Sequence, residues 1–324
     1  MPASLSVILP TMDRPADLGR FLASLLAQTV RPEELVVVDA GASVEARVAE
    51  AVAGSGIRLV YLRSTPGTSL QRNVGIEAAR GEILFFLDDD MVLEPDYVAR
   101  SLEGFELPFD PPVGAVMGTI TNMGPEPAPL ALLYGLLGVS HFTTGDVCHL
   151  YPTGGSRWLV APSRPVPVPV VATGRVAYRR DALGEERFSE FLPGYTFAED
   201  VELAIRVGRR WTLLQHPGAR LAHHHSPVGR VGYGDRVGRV LFSRYHFFAH
   251  HTEKTALNAI LFGLGHSSEV AQISLAGLLG RKAGPLELGR GLARGYGRCV
   301  REALNRTRDT GTSREAARAH DPTT

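Results

Sequence analysis

The chain has 324 residues, enough for one large core or two smaller ones, and its 34 basic and 34 acidic side chains cancel to a formal net charge of zero. A balance of this kind supplies no global field for nucleic acid, so a polyanion-binding role is disfavoured. The two cysteines, Cys148 and Cys299, lie far apart with no Cys-x-x-Cys pattern, which argues against a disulfide scaffold or zinc ribbon and suits a reducing cytoplasm.

Met1 to Pro10 lacks the basic start and long apolar core of a signal peptide, so export is not expected. The apolar runs Leu130 to Val139 and Ala256 to Leu264 are far below the roughly 20 residues of a spanning helix. Leu5 to Leu9 reads as a short strand ended by Pro10. Behind Pro15, the residues Leu18, Phe21, Leu22, Leu25 and Leu26 recur at helical spacing. Leu35 to Val38 is a second strand ending on Asp39, followed by a small-residue loop and a helix from about Val44 to Val52. Ile57 to Leu62 is a third strand, and Thr68 to Arg80 a helix closed by Gly81. Gly81 then leads into Ile83 to Leu87, a short apolar run that ends in Asp88-Asp89-Asp90.

Four alternations of strand and helix predict a mostly parallel sheet flanked by helices. In such sheets ligands bind beyond the carboxyl ends of the strands, where Pro10, Thr11, Asp39 and Asp88 to Asp90 would converge. Three adjacent carboxylates repel one another, and water, protonation or a cation can relieve the cost. No Gly-x-Gly-x-x-Gly follows the first strand and no Gly-x-x-x-x-Gly-Lys-Ser/Thr occurs, so phosphates would need another partner such as a metal.

Beyond a helix from Pro95 to about Phe105 and a strand over Gly114 to Met123, the Pro- and Gly-rich stretch from Gly124 to Pro169 is either an excursion that shapes a pocket or a plain surface loop. Regular structure restarts at Val170 to Gly174, and Ala177 to Asp181 leads into a helix. Phe197 to Val207 reads as a helix with Glu199, Asp200 and Glu202 crowded into its first turn, which dipole and capping chemistry alone can also explain. Ala219 to His225 reads as a strand with His223 and His225 on one face and His224 on the other. A helical tail follows from Ser243. Within it Leu288, Leu292, Tyr296, Cys299, Val300 and Ala303 form an apolar stripe, with Arg290, Arg294, Arg298 and Arg301 mostly off it. Such a helix either lies on an anionic membrane surface or packs on its own domain with a solvated arginine face. Residues after Asn305 are polar, and a disordered tail is expected over 306–324.

Several short pieces, in this order and spacing, resemble the family 2 glycosyltransferases of the GT-A fold across roughly residues 4 to 250. They are Val7 to Thr11 with Arg14-Pro15, Ser24 to Thr29, Glu34 to Asp39, Gln71 to Gly75, the acidic triplet, Arg179 to Asp181, Glu199 to Leu203, and His223 to Pro227. The resemblance implies a GT-A, Rossmann-like α/β domain over 1–250 and a helical extension over 251–305. It also implies an inverting transfer of sugar from a nucleotide diphosphate to an acceptor hydroxyl, assisted by Mn²⁺ or Mg²⁺. Thr11 and Asp39 would then hold the nucleoside base, Arg72 would lie near the nucleotide, Asp88 would meet the ribose or metal side of the donor, and Pro10 and Asp89 would also contact the donor. Asp90 would ligate the cation, with Asp88, His223 and His225 as further ligands. Asp200 would be the general base, supported by Glu199. An Asp at a helix N-terminus with an ordinary pKa near ~4 is ionised at neutral pH, so position rather than a shift is expected to matter.

Asp13 and Ala40 depart from the family pattern, and Arg209-Arg210-Trp211 lacks the glutamine of the processive signature, which disfavours a polymer synthase. The acceptor could be lipid-linked, the protein cytoplasmic or peripheral at the inner face of the plasma membrane through its C-terminal helices. The alternatives are a catalytically silent nucleotide-sugar-binding scaffold and a nucleotidyltransferase.

Overall fold

The computed structural model describes residues 3–191, 198–226, 228, 231–280 and 282–318. The chain divides into two units, Met1–Arg230 and Val231–Thr324.

The first unit opens with β1 (Leu5–Thr11), α1 (Pro15–Leu26), β2 (Glu34–Asp39), α2 (Glu45–Val52), β3 (Arg58–Arg63), α3 (Thr68–Ala78) and β4 (Ile83–Leu87). Next come β5 (Met91–Leu93), α4 (Tyr97–Phe105), β6 (Val113–Ile120), α5 (Ala128–Leu137), β7 (His141–Thr143), β8 (His149–Leu150), β9 (Ser156–Leu159) and β10 (Val166–Pro167). The unit closes with β11 (Arg175–Arg179), α6 (Arg180–Leu183), α7 (Glu199–Gly208) and β12 (Thr212–His223).

The main sheet runs β10-β12-β6-β11-β4-β1-β2-β3, with β5 added on β12. Strands β3, β2, β1 and β4 are parallel, as are β6 and β12, while β11 enters antiparallel between β4 and β6. This is the mostly parallel α/β sheet that the alternation predicts. Its strands are buried along their whole length at β1, β2, β4 and β6, which is why they read as continuous apolar runs. Helix α1 packs through Leu18, Phe21, Leu22 and Leu25, all but free of solvent.

Particular expectations need correction. Val170 to Gly174 forms no strand, and the chain turns through Gly174 (φ +83°) into β11. The strand expected over Ala219 to His225 starts seven residues earlier, at Thr212, and stops at His223. The stretch Gly124 to Pro169 is not irregular throughout: it carries α5 and a separate three-stranded sheet, β7-β9-β8.

The second unit holds α8 (Tyr233–His251), α9 (Ala256–Leu279) and α10 (Pro285–Arg318). Helix α8, which the expected boundary at 250 would leave with the first domain, packs along α10 within this unit. The helix predicted to fray after Asn305 continues to Arg318, in keeping with the helix-forming Arg314-Glu315-Ala316-Ala317-Arg318, and 319–324 lie outside the described residues. The predicted stripe on α10 divides: Leu288 and Cys299 are buried, whereas Tyr296 and Val300 are exposed.

Four glycines set the α8–α10 approach. A Cβ on Gly238 would lie 2.2 Å from the Gly291 carbonyl oxygen, and one on Gly291 would lie 1.9 Å from that of Gly234. Gly295 packs on Gly238 in the same way. The obstacle is backbone, so the helices would have to separate. Gly238→Ala should therefore lower stability by about 1–3 kcal/mol despite its better helix propensity. By contrast Gly289→Ala, where nothing lies within 4 Å of the added carbon, should stabilise by up to ~1 kcal/mol. Urea denaturation of the two variants checks the opposite signs.

Candidate active site at the strand ends

Because β1, β2 and β4 are parallel and adjacent, Thr11, Asp39 and the triplet after Leu87 come out together at the carboxyl ends of the strands. Helix α3 ties these ends together. Gln71 Nε2 donates to the carbonyls of Thr11 (3.1 Å) and Val38 (2.8 Å). Asn73 exchanges two hydrogen bonds with the backbone of Phe188, each 2.9 Å.

Pro10 is buried in β1 opposite Val38. Asp39 is fully buried, and its carboxylate accepts from Gly41 N (2.8 Å), Arg63 Nη1 (2.7 Å) and the Tyr61 hydroxyl. The Thr11 hydroxyl donates to Asp89 at 2.7 Å. Both residues predicted to hold the base therefore have their side chains engaged by the protein itself.

The three adjacent acids escape mutual repulsion by pointing at different partners. Asp88, half-buried, receives Arg72 Nη2 at 3.0 Å. Asp89, 2 % exposed, takes Thr11 and Arg14 Nη1 (3.0 Å). Burial still wins there and pushes its carboxyl up to about 6, against the pull of Thr11 and Arg14. Asp90 goes the other way. Burial would raise it, but the hydrogen bond and charge of His223, the Ser226 N–H at 3.0 Å and Arg14 hold it at about 2.

On the far side of the triplet stands α7. Arg72, 3 % exposed, reaches Glu199 Oε1 with Nη1 at 3.0 Å while holding Asp88 with Nη2, and its guanidinium lies 5.5 Å from the centre of the Phe188 ring. Asp200 accepts from Val201 N (2.8 Å) and Thr173 N (3.3 Å). Burial raises both acids of this tightly coupled pair, and the charge of Asp200 raises Glu199 further, against Arg72. The expectation of an ordinary pKa at Asp200 is thus overturned: burial at this helix N-terminus outweighs the favourable N–H groups. Phe197, which the same prediction placed at the head of α7, lies outside the described residues, as does Pro227.

His223 closes β12 with Nε2 3.2 Å from Asp90 Oδ1. The His225 ring centre lies 3.7 Å from that of His223, and His225 adopts φ +46°. His224 is exposed and donates its backbone N–H to the Asp90 carbonyl at 2.9 Å. Two ligand atoms at right angles around a cation, each about 2.1–2.2 Å from it, lie roughly 3 Å apart. The Asp90–His223 pair has that spacing, so carboxylate and imidazole fit one divalent cation. Asp88 is turned toward Arg72 and does not join them.

The description Glycosyl transferase family 2 matches residues 6–152. Those residues form a family 2 glycosyltransferase domain. An uncharacterized glycosyltransferase of Haemophilus influenzae is 32 % identical over 102 residues, covering 32 % of this chain and 34 % of its own. A glucosyl-dolichyl phosphate glucuronosyltransferase of Haloferax volcanii is 30 % identical over 122 residues, covering 37 % and 38 %. The chain thus spans between 24 % and 38 % of the curated relatives it matches. A mannosyltransferase from Pyrobaculum calidifontis, solved with GDP-Man and Mn²⁺, superposes with a TM-score of 0.54 over 98 % of this chain and 85 % of its own, at 19 % identity, which establishes the GT-A fold.

Around the acids the structure adds residues to which the sequence reading gave no site role. Arg14 bridges Asp89 and Asp90 and donates to the Val228 carbonyl at 2.8 Å. Gly174 abuts Asp88, since a Cβ there would lie 2.4 Å from Oδ2. Arg14 stands three residues past Thr11, a spacing visible in sequence, whereas nothing local marks Gly174.

Removing the guanidinium by Arg72→Met leaves Glu199 buried without its cation. Stability should fall by about 2–4 kcal/mol near pH 8. The folded-state pKa of Glu199 then lies well above its unfolded value, so the penalty is present at high pH and lifts as pH falls and the group protonates. Urea titrations at pH 8 and pH 5 should show the smaller loss at pH 5.

Proposed function

We propose that the chain is an inverting glycosyltransferase that moves a sugar from a nucleotide-diphosphate donor to an acceptor hydroxyl with the help of a divalent cation. The observation that carries this reading is the buried guanidinium of Arg72, which joins the acidic triplet at the end of β4 to the paired acids of α7. Donor-side and acceptor-side carboxylates thereby belong to one electrostatic unit. The solved mannosyltransferase that shares the fold holds GDP-Man and Mn²⁺, which supports the donor class and the cation.

In this mechanism Asp200 takes the proton of the acceptor hydroxyl as its oxygen attacks the anomeric carbon. Attack on the face opposite the leaving diphosphate inverts that centre. The Val201 and Thr173 N–H groups hold the Asp200 carboxylate in place, and Arg72 fixes Glu199 beside it; Arg72 stays protonated because Asp88 and Glu199 outweigh the burial that opposes its charge. Asp90 and His223 would hold the cation, with Asp88 nearby. Bound there, a divalent ion supplies Lewis-acid stabilisation of charge developing on the diphosphate.

A panel of nucleotide-sugars with and without Mn²⁺, read by thermal stabilisation and nucleotide release, tests the assignment. One donor should stabilise the protein in a metal-dependent way, Asp90→Ala should abolish this, and Asp200→Asn should bind donor with turnover reduced about 10²–10⁴-fold. Because Asp200 acts unprotonated and burial raises its pKa, the rate should begin to fall with acid above the ordinary aspartate range near ~4. Donor binding with no turnover under any acceptor would point to a silent nucleotide-sugar scaffold instead.

The acceptor we propose is lipid-linked. One relative is named for action on glucosyl-dolichyl phosphate. Helix α9 exposes Leu257, Ile260, Leu264, Leu275, Leu278 and Leu279 along one side, and Arg290, Arg294 and Arg301 of α10 are exposed as well. The contact we propose is peripheral, through this exposed face; no helix among the described residues is long and apolar enough to cross a membrane. Flotation with anionic vesicles should recover the wild type and lose most of a Leu264→Asp/Leu275→Asp variant; equal recovery of both would count against the membrane role.

A further inference from the structure

The second unit brings together three side chains that glycosyl transfer does not use. Along α8 and α10 the contacts advance in the same direction, from Gly234 against Glu287 and Gly291, through Gly238 against Gly291 and Gly295, to His246 and His250 against Glu302. The two helices therefore run parallel, with their glycines setting the closest approach. Beyond that point His246 and His250, four residues apart, face the same side of α8.

His246 Nδ1 lies 2.8 Å and His250 Nε2 2.7 Å from the same atom, Glu302 Oε1. The two rings are 4.3 Å apart between centres, inclined by 36°. All three ligand atoms fall within 4.8 Å of one another, and among the described residues this is the one trio of His, Cys, Asp or Glu side chains so gathered. The Asp88, Asp90 and His223 set in the other unit does not reach that density.

Two imidazoles at positions i and i+4 of a helix with a carboxylate from a neighbouring helix form the donor set of open zinc sites. Tetrahedral bonds of about 2.0–2.1 Å place donor atoms roughly 3.3 Å apart. Each N···O contact would open by about half an ångström to admit the ion, a change within reach of small side-chain rotations. His250 is 40 % exposed, so water has access to the fourth position. The majority of nitrogen donors favours zinc-like ions over Mg²⁺ or Ca²⁺.

We propose that His246 Nδ1, His250 Nε2 and the Glu302 carboxylate bind one Zn²⁺-class ion, with water completing the tetrahedron, and that the ion clamps α8 to α10. This site is separate from the acids of the transferase domain and does not depend on the reading given to them. The chemistry is ligand exchange alone: each nitrogen presents its lone pair, its proton passing to the other ring nitrogen or to solvent, and nothing is oxidised or reduced.

The full-length protein, stripped with chelator and dialysed, is titrated with ZnCl₂ by calorimetry and with CoCl₂ by visible absorption. Wild type and Asp90→Ala should both bind one Zn²⁺ equivalent at this site and give the intense visible bands of tetrahedral Co²⁺. His250→Ala and Glu302→Gln should lose that equivalent, weakening it at least about 100-fold, and should lose the Co²⁺ bands. Zn²⁺ should raise the Tm of wild type and leave that of His250→Ala unchanged. If His250→Ala binds as wild type does, if wild type takes up no zinc, or if the only equivalent vanishes in Asp90→Ala, the proposal is overturned and the trio is a hydrogen-bonded cluster alone. His250 is a surface residue, so its variant decides the matter even if Glu302→Gln does not fold.

Discussion

Burying a guanidinium is costly unless every charge it faces is its partner, and the first unit meets that condition at Arg72. Its side chain runs from α3 under the Phe188 ring, divides its two terminal nitrogens between Asp88 and Glu199, and leaves almost no surface to water. The neighbours of Arg72 in sequence fix where it can point. Gln71 locks α3 to the ends of β1 and β2, and Asn73 clasps the backbone of Phe188. Three consecutive residues thus hold the strand ends, the charge centre and the loop that covers it.

From this centre the logic of the acids follows. A run of three carboxylates is tolerated because each is assigned a different environment: Arg72 for Asp88, Thr11 and Arg14 for Asp89, His223 and a backbone N–H for Asp90. Identical side chains one residue apart consequently titrate at opposite ends of the range, about 6 for Asp89 and about 2 for Asp90. Burial decides the first, and a nearby imidazole and backbone donor decide the second.

The helical unit obeys a different rule. Its α8–α10 contact is set by glycines whose missing side chains admit backbone against backbone. Antiparallel to α8, α9 is held by the paired hydrogen bonds of Arg244 to Glu269 at 2.8 and 3.0 Å and by Phe248 stacked on Phe262. The leucines Leu257, Leu264, Leu275, Leu278 and Leu279 of α9 lie on the outside.

The sequence by itself determined the α/β alternation, the parallel strands and the convergence of Thr11, Asp39 and the triplet at their carboxyl ends, because buried parallel strands must be apolar throughout and their ends must come out together. It also marked Glu199, Asp200 and His223 as candidate site residues. Only the tertiary structure decided how they are used. The insertion of antiparallel β11 between β4 and β6, the raised pKa of Asp200, the engagement of Asp39 by Tyr61 and Arg63, and the meeting of His246 and His250 with Glu302 all depend on segments far apart in the chain. Local periodicity reports which face of an element is buried, whereas pKa, hydrogen-bond partner and ligand spacing are properties of what lies across the gap. That information is absent from any single stretch of sequence until the elements have packed.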